Sequence, residues 1–316
     1  MIKRLLLIVV GVALFLFILF HIDREKTWNI MKGADWKLCF LSLGAFVFMI
    51  YLRAVRWSYL LKMQGFRYSV WNCFLVYMTS MYWGNITPGR AGDFIKVLYL
   101  KEDLKLSMGT GMTSVLVDRV FDLYILLILG CLGILKYPIS ADPRLIKLVW
   151  FFFALLLLAS FLAFNRKIGE VLIKSVFQRV LGSRLKEKAS QAFEDFHKGM
   201  EAFYSPALAF PTVLSVISYV IAFWACSLLA QSIGLHISIF YMAFSISVVN
   251  IVSLLTFLGM GTREGALIIL FGLISVTQEQ ALAFSLLLFF IGTVLFTLLC
   301  LPCFILKPIR GKILPE

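Results

Sequence analysis

Asn85-Ile86-Thr87-Pro88-Gly89-Arg90-Ala91-Gly92-Asp93 interrupts an apolar run that begins at Val70 and gives way to the half-apolar Phe94–Leu100. Pro88 removes a backbone donor and disfavours the helical conformation at Thr87. Gly89 and Gly92 permit backbone angles that other residues resist. A helix is therefore expected to stop here. Lipid offers no water to the freed backbone groups, so irregular backbone is tolerated in a membrane only where it is buried in protein or lines a polar cavity. Asn85, Arg90 and Asp93 on the break favour the cavity, and the stretch reads as half of a binding site.

The membrane setting follows from composition. The chain has 316 residues, 61% of them hydrophobic and 15% charged, with a mean hydropathy of +0.93; soluble domains are about half apolar and a quarter charged. Several apolar runs reach or approach the ~20 residues needed to cross hydrocarbon, and the period-two alternation of a β-barrel is absent. The class is an all-α polytopic membrane protein, a single integral membrane domain over 1–316. The net charge of +13 is explained by basic cytoplasmic loops facing anionic headgroups, and no segment is long enough for a nucleic-acid-binding module. Six scattered cysteines and three separated histidines form no ligand constellation, so neither a metal nor a cofactor is expected.

Eight apolar segments follow one another along the chain. Counting all eight as full crossings would place the segment 165–204, with its eight Lys and Arg residues, outside the cell, against the positive-inside rule. Treating Val70–Leu104 and Ser245–Val276 as re-entrant broken-helix hairpins removes the conflict. About six full transmembrane spans plus two hairpins then put both termini, the basic stretch Arg53–Arg67, Lys101–Lys105 and residues 165–204 in the cytoplasm, with the loop at His236 outside. The two hairpins would enter from opposite sides, as in an inverted repeat whose broken tips meet near the midplane. Residues 165–204 carry apolar positions at helical spacing with basic residues between them. They read as a basic amphipathic cytoplasmic or interfacial insert lying on the bilayer surface, or alternatively docking a soluble partner.

The second break, Thr256-Phe-Leu-Gly259-Met-Gly261-Thr-Arg263-Glu264-Gly265, is also rich in glycine and charge. Arg90 and Arg263 sit on the two breaks, and a guanidinium fork matches a phosphate bidentately; with Arg119 they are the candidate headgroup-binding residues. Asp93 and Glu264 could orient those arginines, bind a cationic headgroup or carry a coupling proton. Asp118 and Asp122 lie one helical turn apart beside Arg119. That trio is either a structural ion pair or a support holding Arg119 toward the cavity. Asn85, Pro88, Gly89, Gly92, Gly259 and Gly261 shape the breaks. No nucleophile–base pair, Walker loop or HExxH motif appears, so no enzyme activity is expected.

In order and spacing, Asn85…Pro88-Gly89-Arg90…Gly92-Asp93, Asp118-Arg119…Asp122 and Gly259…Gly261…Arg263-Glu264 resemble the recurring elements of the lysylphosphatidylglycerol synthase transmembrane region, a flippase-like family. Asp93 stands where that family usually has Glu, and Phe257-Leu258 where it often has Pro-Gly. The aminoacyl-transferase domain of the full-length synthases has no counterpart before Glu316, so lysine transfer is not inherited. The resemblance implies translocation of an anionic phospholipid, a lipid-linked sugar or a related amphiphile in the cytoplasmic membrane. The competing expectations are an accessory subunit for a separate membrane or cytosolic enzyme, and a membrane enzyme acting on lipid-linked substrates.

Overall fold

A computed structural model describes residues 2–87, 92–137, 147, 150, 151, 154, 155, 158, 191, 194–196, 198–203, 205–253, 256 and 259–308, with the backbone alone for 2–10, 12 and 86. The helices described with their bounds ahead of the basic insert are α1 (Ile2–His21), α2 (Arg24–Lys32), α3 (Trp36–Met63), α4 (Val70–Ile86), α5 (Ile95–Leu104) and α6 (Met108–Lys136). After it come α7 (Ala209–Ser232), α8 (Ile239–Val252), α9 (Thr262–Gly272), α10 (Gln278–Phe289) and α11 (Phe296–Leu306). One π-helical stretch, Phe290–Leu295, joins the last two. No strand occurs among the described residues.

Local chemistry sets the helix starts. The side chains of Ser69, Ser107 and Ser238 accept from backbone N–H groups three residues on, at 3.2, 3.2 and 3.3 Å. Thr277 and Gln280 form a reciprocal capping box. Beyond α3 and α7 the chain turns at Gly65 and Gly234, both with positive φ, which favours glycine.

The outer surface of the bundle is apolar, unlike that of a soluble protein. Phe17, Phe40, Phe48, Trp71, Leu132, Leu135, Phe210, Phe240 and Ile305 point outward, a surface that would aggregate in water and is matched by lipid tails. The interior is mostly apolar too, and small polar residues are set into it. Ser42 on α3 donates to the Ala225 carbonyl of α7 at 2.8 Å, and Ser215, Ser227 and Ser247 bond back to the preceding helical turn. Such residues let membrane helices approach closely, and these hydroxyls are satisfied by backbone carbonyls. Trp36–Met63, Pro206–Ser232 and Gln278–Leu306 are each long and apolar enough to cross a membrane.

One part of the sequence reading changes. Arg53 and Arg56 do not belong to a cytoplasmic stretch Arg53–Arg67: α3 continues to Met63 and both arginines are buried inside the bundle. The segment between His21 and Trp36 forms α2, capped by Asp23. Most of the insert and most of the apolar segment Leu145–Phe164 lie outside the described residues. At the end of the insert, Met200 and Phe203 are buried against Leu60 of α3 and Val117 of α6, with Phe196 beside them. The Phe196 carbonyl accepts from Thr113 at 3.1 Å. This part of the apolar stripe faces protein.

The α6–α8 contact offers a test of the packing. A Cβ at Gly133 would overlap the Phe244 ring, whereas one at Gly44 meets nothing within 4 Å. Gly133→Ala should cost about 1–3 kcal/mol through overpacking and lower the thermal unfolding midpoint in detergent. Gly44→Ala should hold or slightly raise that midpoint. Equal midpoints for the two variants would refute the close approach.

Candidate functional site

Five helices bring charged or polar side chains to one buried point. Its centre is Asp118 on α6. Arg56 of α3 donates from Nε (2.9 Å) and Nη2 (2.6 Å) to Asp118 Oδ1. The other oxygen, Oδ2, accepts from Tyr77 of α4 at 2.6 Å and from Lys96 Nζ of α5 at 3.1 Å. The remaining guanidinium nitrogen of Arg56 donates to Ser215 of α7 at 2.8 Å. Arg56, Lys96 and Asp118 have no exposed surface. Lys96 also lies over the Tyr77 ring, 3.1 Å from its centroid, and 5.2 Å from that of Trp57, a cation–π cage.

One turn along α6, Asp122 extends the network. Its Oδ1 accepts from Arg56 Nη2 at 3.0 Å, and its Oδ2 lies 3.4 Å from Arg53 Nη1 and 3.8 Å from Arg119 Nη1. Arg53 stacks over Tyr219 of α7 at 4.8 Å. Arg119 reaches Asp93 with Nη2 at 3.1 Å and so ties α6 to the first break. Its side chain is 19% exposed, which makes it the open end of an otherwise closed network. The Nε atoms of Arg53 and Arg119 are buried donors with no acceptor among the described residues.

The first break has the expected form where it is described. α4 ends at Ile86 and Thr87 turns extended, φ −99° and ψ 138°. The Thr87 hydroxyl donates to the Trp83 carbonyl and accepts from the Gly92 N–H, both at 2.7 Å, so one side chain satisfies backbone on both sides of the gap. Gly92 is required there, because a Cβ would overlap the Trp83 backbone. Asn85 donates to Thr297 of α11 at 2.8 Å. Pro88, Gly89 and Arg90 lie outside the described residues.

The second break closes on itself. Gly259 and Gly261 have φ of 70° and 77°, where a Cβ would be strained. Glu264 Oε2 accepts from the Gly261 N–H at 2.7 Å and caps α9. Its Oε1 accepts from Arg263 Nε at 3.1 Å, from Arg263 Nη2, and from Ser285 of α10 at 3.2 Å. Arg263 further packs on the Phe289 ring at 4.8 Å. A Cβ at Gly261 would lie 2.7 Å from the Gly11 carbonyl, so this break abuts α1.

The sequence-derived candidates thus divide into two groups. Asp93, Asp118, Arg119 and Asp122 come together, while Arg263 and Glu264 pair with each other. Asp118 takes Arg56 and Lys96 as partners rather than its neighbour Arg119. Sequence reading missed Arg53, Arg56, Lys96 and Tyr77. The one signal for the two arginines was that they lie three apart and so share a helix face, as Asp118 and Asp122 do on α6. A separate clasp at the ends of α4, α5 and α11 joins Lys307 to Asp103 at 2.7 Å and to Asn72 at 3.2 Å. Tyr68 donates to the same Asp103, and burial together with that carboxylate pushes its phenol above the usual range.

Removing one member of a buried ion pair costs about 3–5 kcal/mol when its partner stays charged. Asp118→Asn leaves the Arg56 guanidinium undercompensated and should sharply reduce monodisperse protein in fluorescence-detected size exclusion. Arg119→Lys, at the partly exposed end, should retain most of it. Wild-type yield and unfolding temperature for Asp118→Asn would refute the central role of this carboxylate.

Residues 4–300 match the family described as Lysylphosphatidylglycerol synthase TM region. A UPF0104 membrane protein of Methanocaldococcus jannaschii is 23% identical over 299 residues, covering 90% of this chain and 89% of the relative. A UPF0104 membrane protein of Archaeoglobus fulgidus is 26% identical over 266 residues, covering 73% and 79%. A partial similarity, 28% identity over 141 residues, extends to the glycosyltransferase AglD of Haloferax volcanii, covering 45% of this chain and 22% of that protein. With the match running through both breaks and the network between them, the chain belongs to the lysylphosphatidylglycerol synthase TM region family.

Proposed function

We propose that this protein moves a phospholipid or lipid-linked amphiphile across the bilayer without ATP hydrolysis, holding an anionic headgroup at the Arg119 end of the buried network. The observation that carries the reading is an imbalance of charge. Arg53, Arg56, Lys96 and Arg119 outnumber Asp93, Asp118 and Asp122 in the described network, and two guanidinium Nε atoms in it lack an acceptor. Buried donors without partners are costly, and a phosphate oxygen supplies what they lack. By contrast, Arg263 is matched by Glu264, so the second break is better suited to shaping the cavity than to holding the headgroup. Near the end of α3, a cleft of about 470 Å³ lined by Ser58, Lys62, Arg67, Tyr68 and Ser69 supplies a basic approach for anionic lipid.

The arrangement that suits this activity is about six spans with two re-entrant hairpins in inverted repeat, both termini in the cytoplasm of a cell whose cytoplasmic membrane holds the protein. Single cysteines at Lys62 and His236, in a background lacking the native cysteines, should label from opposite sides; labelling of both from one side would rule the arrangement out.

Transport itself is tested in liposomes carrying fluorescent phosphatidylglycerol or phosphatidylcholine, with dithionite bleaching the outer leaflet. The wild type should speed equilibration of phosphatidylglycerol over the protein-free rate, and more than that of phosphatidylcholine. Arg119→Lys keeps charge but loses the fork and should slow it about tenfold, the equivalent of one charged hydrogen bond of roughly 1.5 kcal/mol. Protein-free rates for both lipids would remove the translocator reading. The partial similarity to a glycosyltransferase favours a second reading in that event, an accessory membrane subunit for an enzyme of lipid-linked glycans.

A further inference from the structure

The described charges of the network balance only when Lys96 is counted as an amine. Arg53, Arg56 and Arg119 face Asp93, Asp118 and Asp122, and a guanidinium does not lose its proton in a protein. Among the described residues Lys96 is the remaining cation. It is fully buried, and its carboxylate contact there is with the Asp118 that Arg56 already grips through two nitrogens. An unmatched charge enclosed among membrane helices is unfavourable. It is relieved either by an entering anion or by a departing proton, and lysine is the cation of this set able to release one.

We propose that Lys96 is the exchangeable proton of the site, a neutral amine when the site is empty and an ammonium when an anionic headgroup is bound. The proposal rests on the headgroup reading above and adds its energy source. One proton from solvent forms the third N–H bond of Lys96 as one phosphodiester charge arrives, so anion and proton occupy the site together and their joint movement carries no net charge. A transmembrane proton gradient then drives the lipid.

The surroundings of Lys96 suit both states. Trp57 approaches it from α3, Tyr77 and Cys73 from α4, Asp118 and Arg119 from α6, with Asp93 just before its own helix; Arg56 shares Asp118 with it and links that carboxylate to Asp122. As an amine Lys96 still donates to Asp118 Oδ2, and Asp118 keeps Arg56 and Tyr77 without it. Protonation therefore changes the charge of the site without requiring its helices to separate. The Tyr77 face stabilises the ammonium once formed.

The test measures protons taken up on binding. Purified protein in weakly buffered, mildly alkaline detergent solution is titrated with short-chain phosphatidylglycerol, with short-chain phosphatidylcholine as the neutral control and a pH dye as readout. The wild type should take up close to one proton per phosphatidylglycerol bound, and its affinity should fall as pH rises. Lys96→Arg fixes the charge and Lys96→Met removes it; both should abolish uptake, and neither should show pH-dependent affinity. Binding without uptake in the wild type would overturn the proton role and leave the headgroup site standing. Absence of phosphatidylglycerol binding would overturn both. Uptake surviving in either variant, or a new carboxylic C=O band in the wild-type infrared difference spectrum on lipid binding, would assign the proton to an aspartate and overturn the role of Lys96.

Discussion

The carboxylate of Asp118 is the constraint on which the bundle depends. An isolated carboxylate in a membrane interior is prohibitively costly, and this one has no exposed surface. It is stable there only because Arg56, Lys96 and Tyr77 arrive together from α3, α5 and α4. The Arg56 guanidinium would be costly alone as well, and with Lys96 and Tyr77 completing the carboxylate's bonds the four helices specify one another's positions. This explains why α3 must run unbroken past two arginines, and why the chain returns after the first break as the short α5 carrying Lys96.

Similar sequence signals lead to different structures at the two breaks. At the second, Glu264 caps its own helix, neutralises the adjacent Arg263 and bonds Ser285 of α10, a closed arrangement with its charge spent locally. At the first, the acid Asp93 reaches across to Arg119 on another helix, and the charge continues from there into Asp122, Arg53 and Arg56. A break whose acid is committed to a distant partner can transmit a change at the site to the helices around it. One whose acid is committed to its neighbour acts as a rigid corner.

The insert adds a third connection. Phe121 of α6 packs with Met200 and Phe203 at the end of the insert, and the Arg56 guanidinium lies 5.8 Å over the Phe121 ring. The apolar stripe that suggested a bilayer-surface helix therefore contributes, in its last turns, to covering the charged core. For an apolar side chain, lipid and protein interior are nearly equivalent solvents, so helical spacing alone does not distinguish them.

The sequence by itself determined the class, the breaks and the acidic half of the site. Hydropathy identifies membrane helices because the bilayer imposes one length, Pro and Gly act on the backbone within a residue or two, and Asp118 and Asp122 share a face by helical spacing alone. The tertiary structure alone decided the basic half beyond Arg119. Arg56 lies 62 residues from Asp118, and Lys96 lies 22, separations over which a linear reading carries no pairing information. Arginines after an apolar run look like a cytoplasmic boundary because an unpaired charge would end the span there. Only when another helix brings carboxylates to the same depth does that penalty vanish and the span continue, and that meeting is a property of the packed bundle.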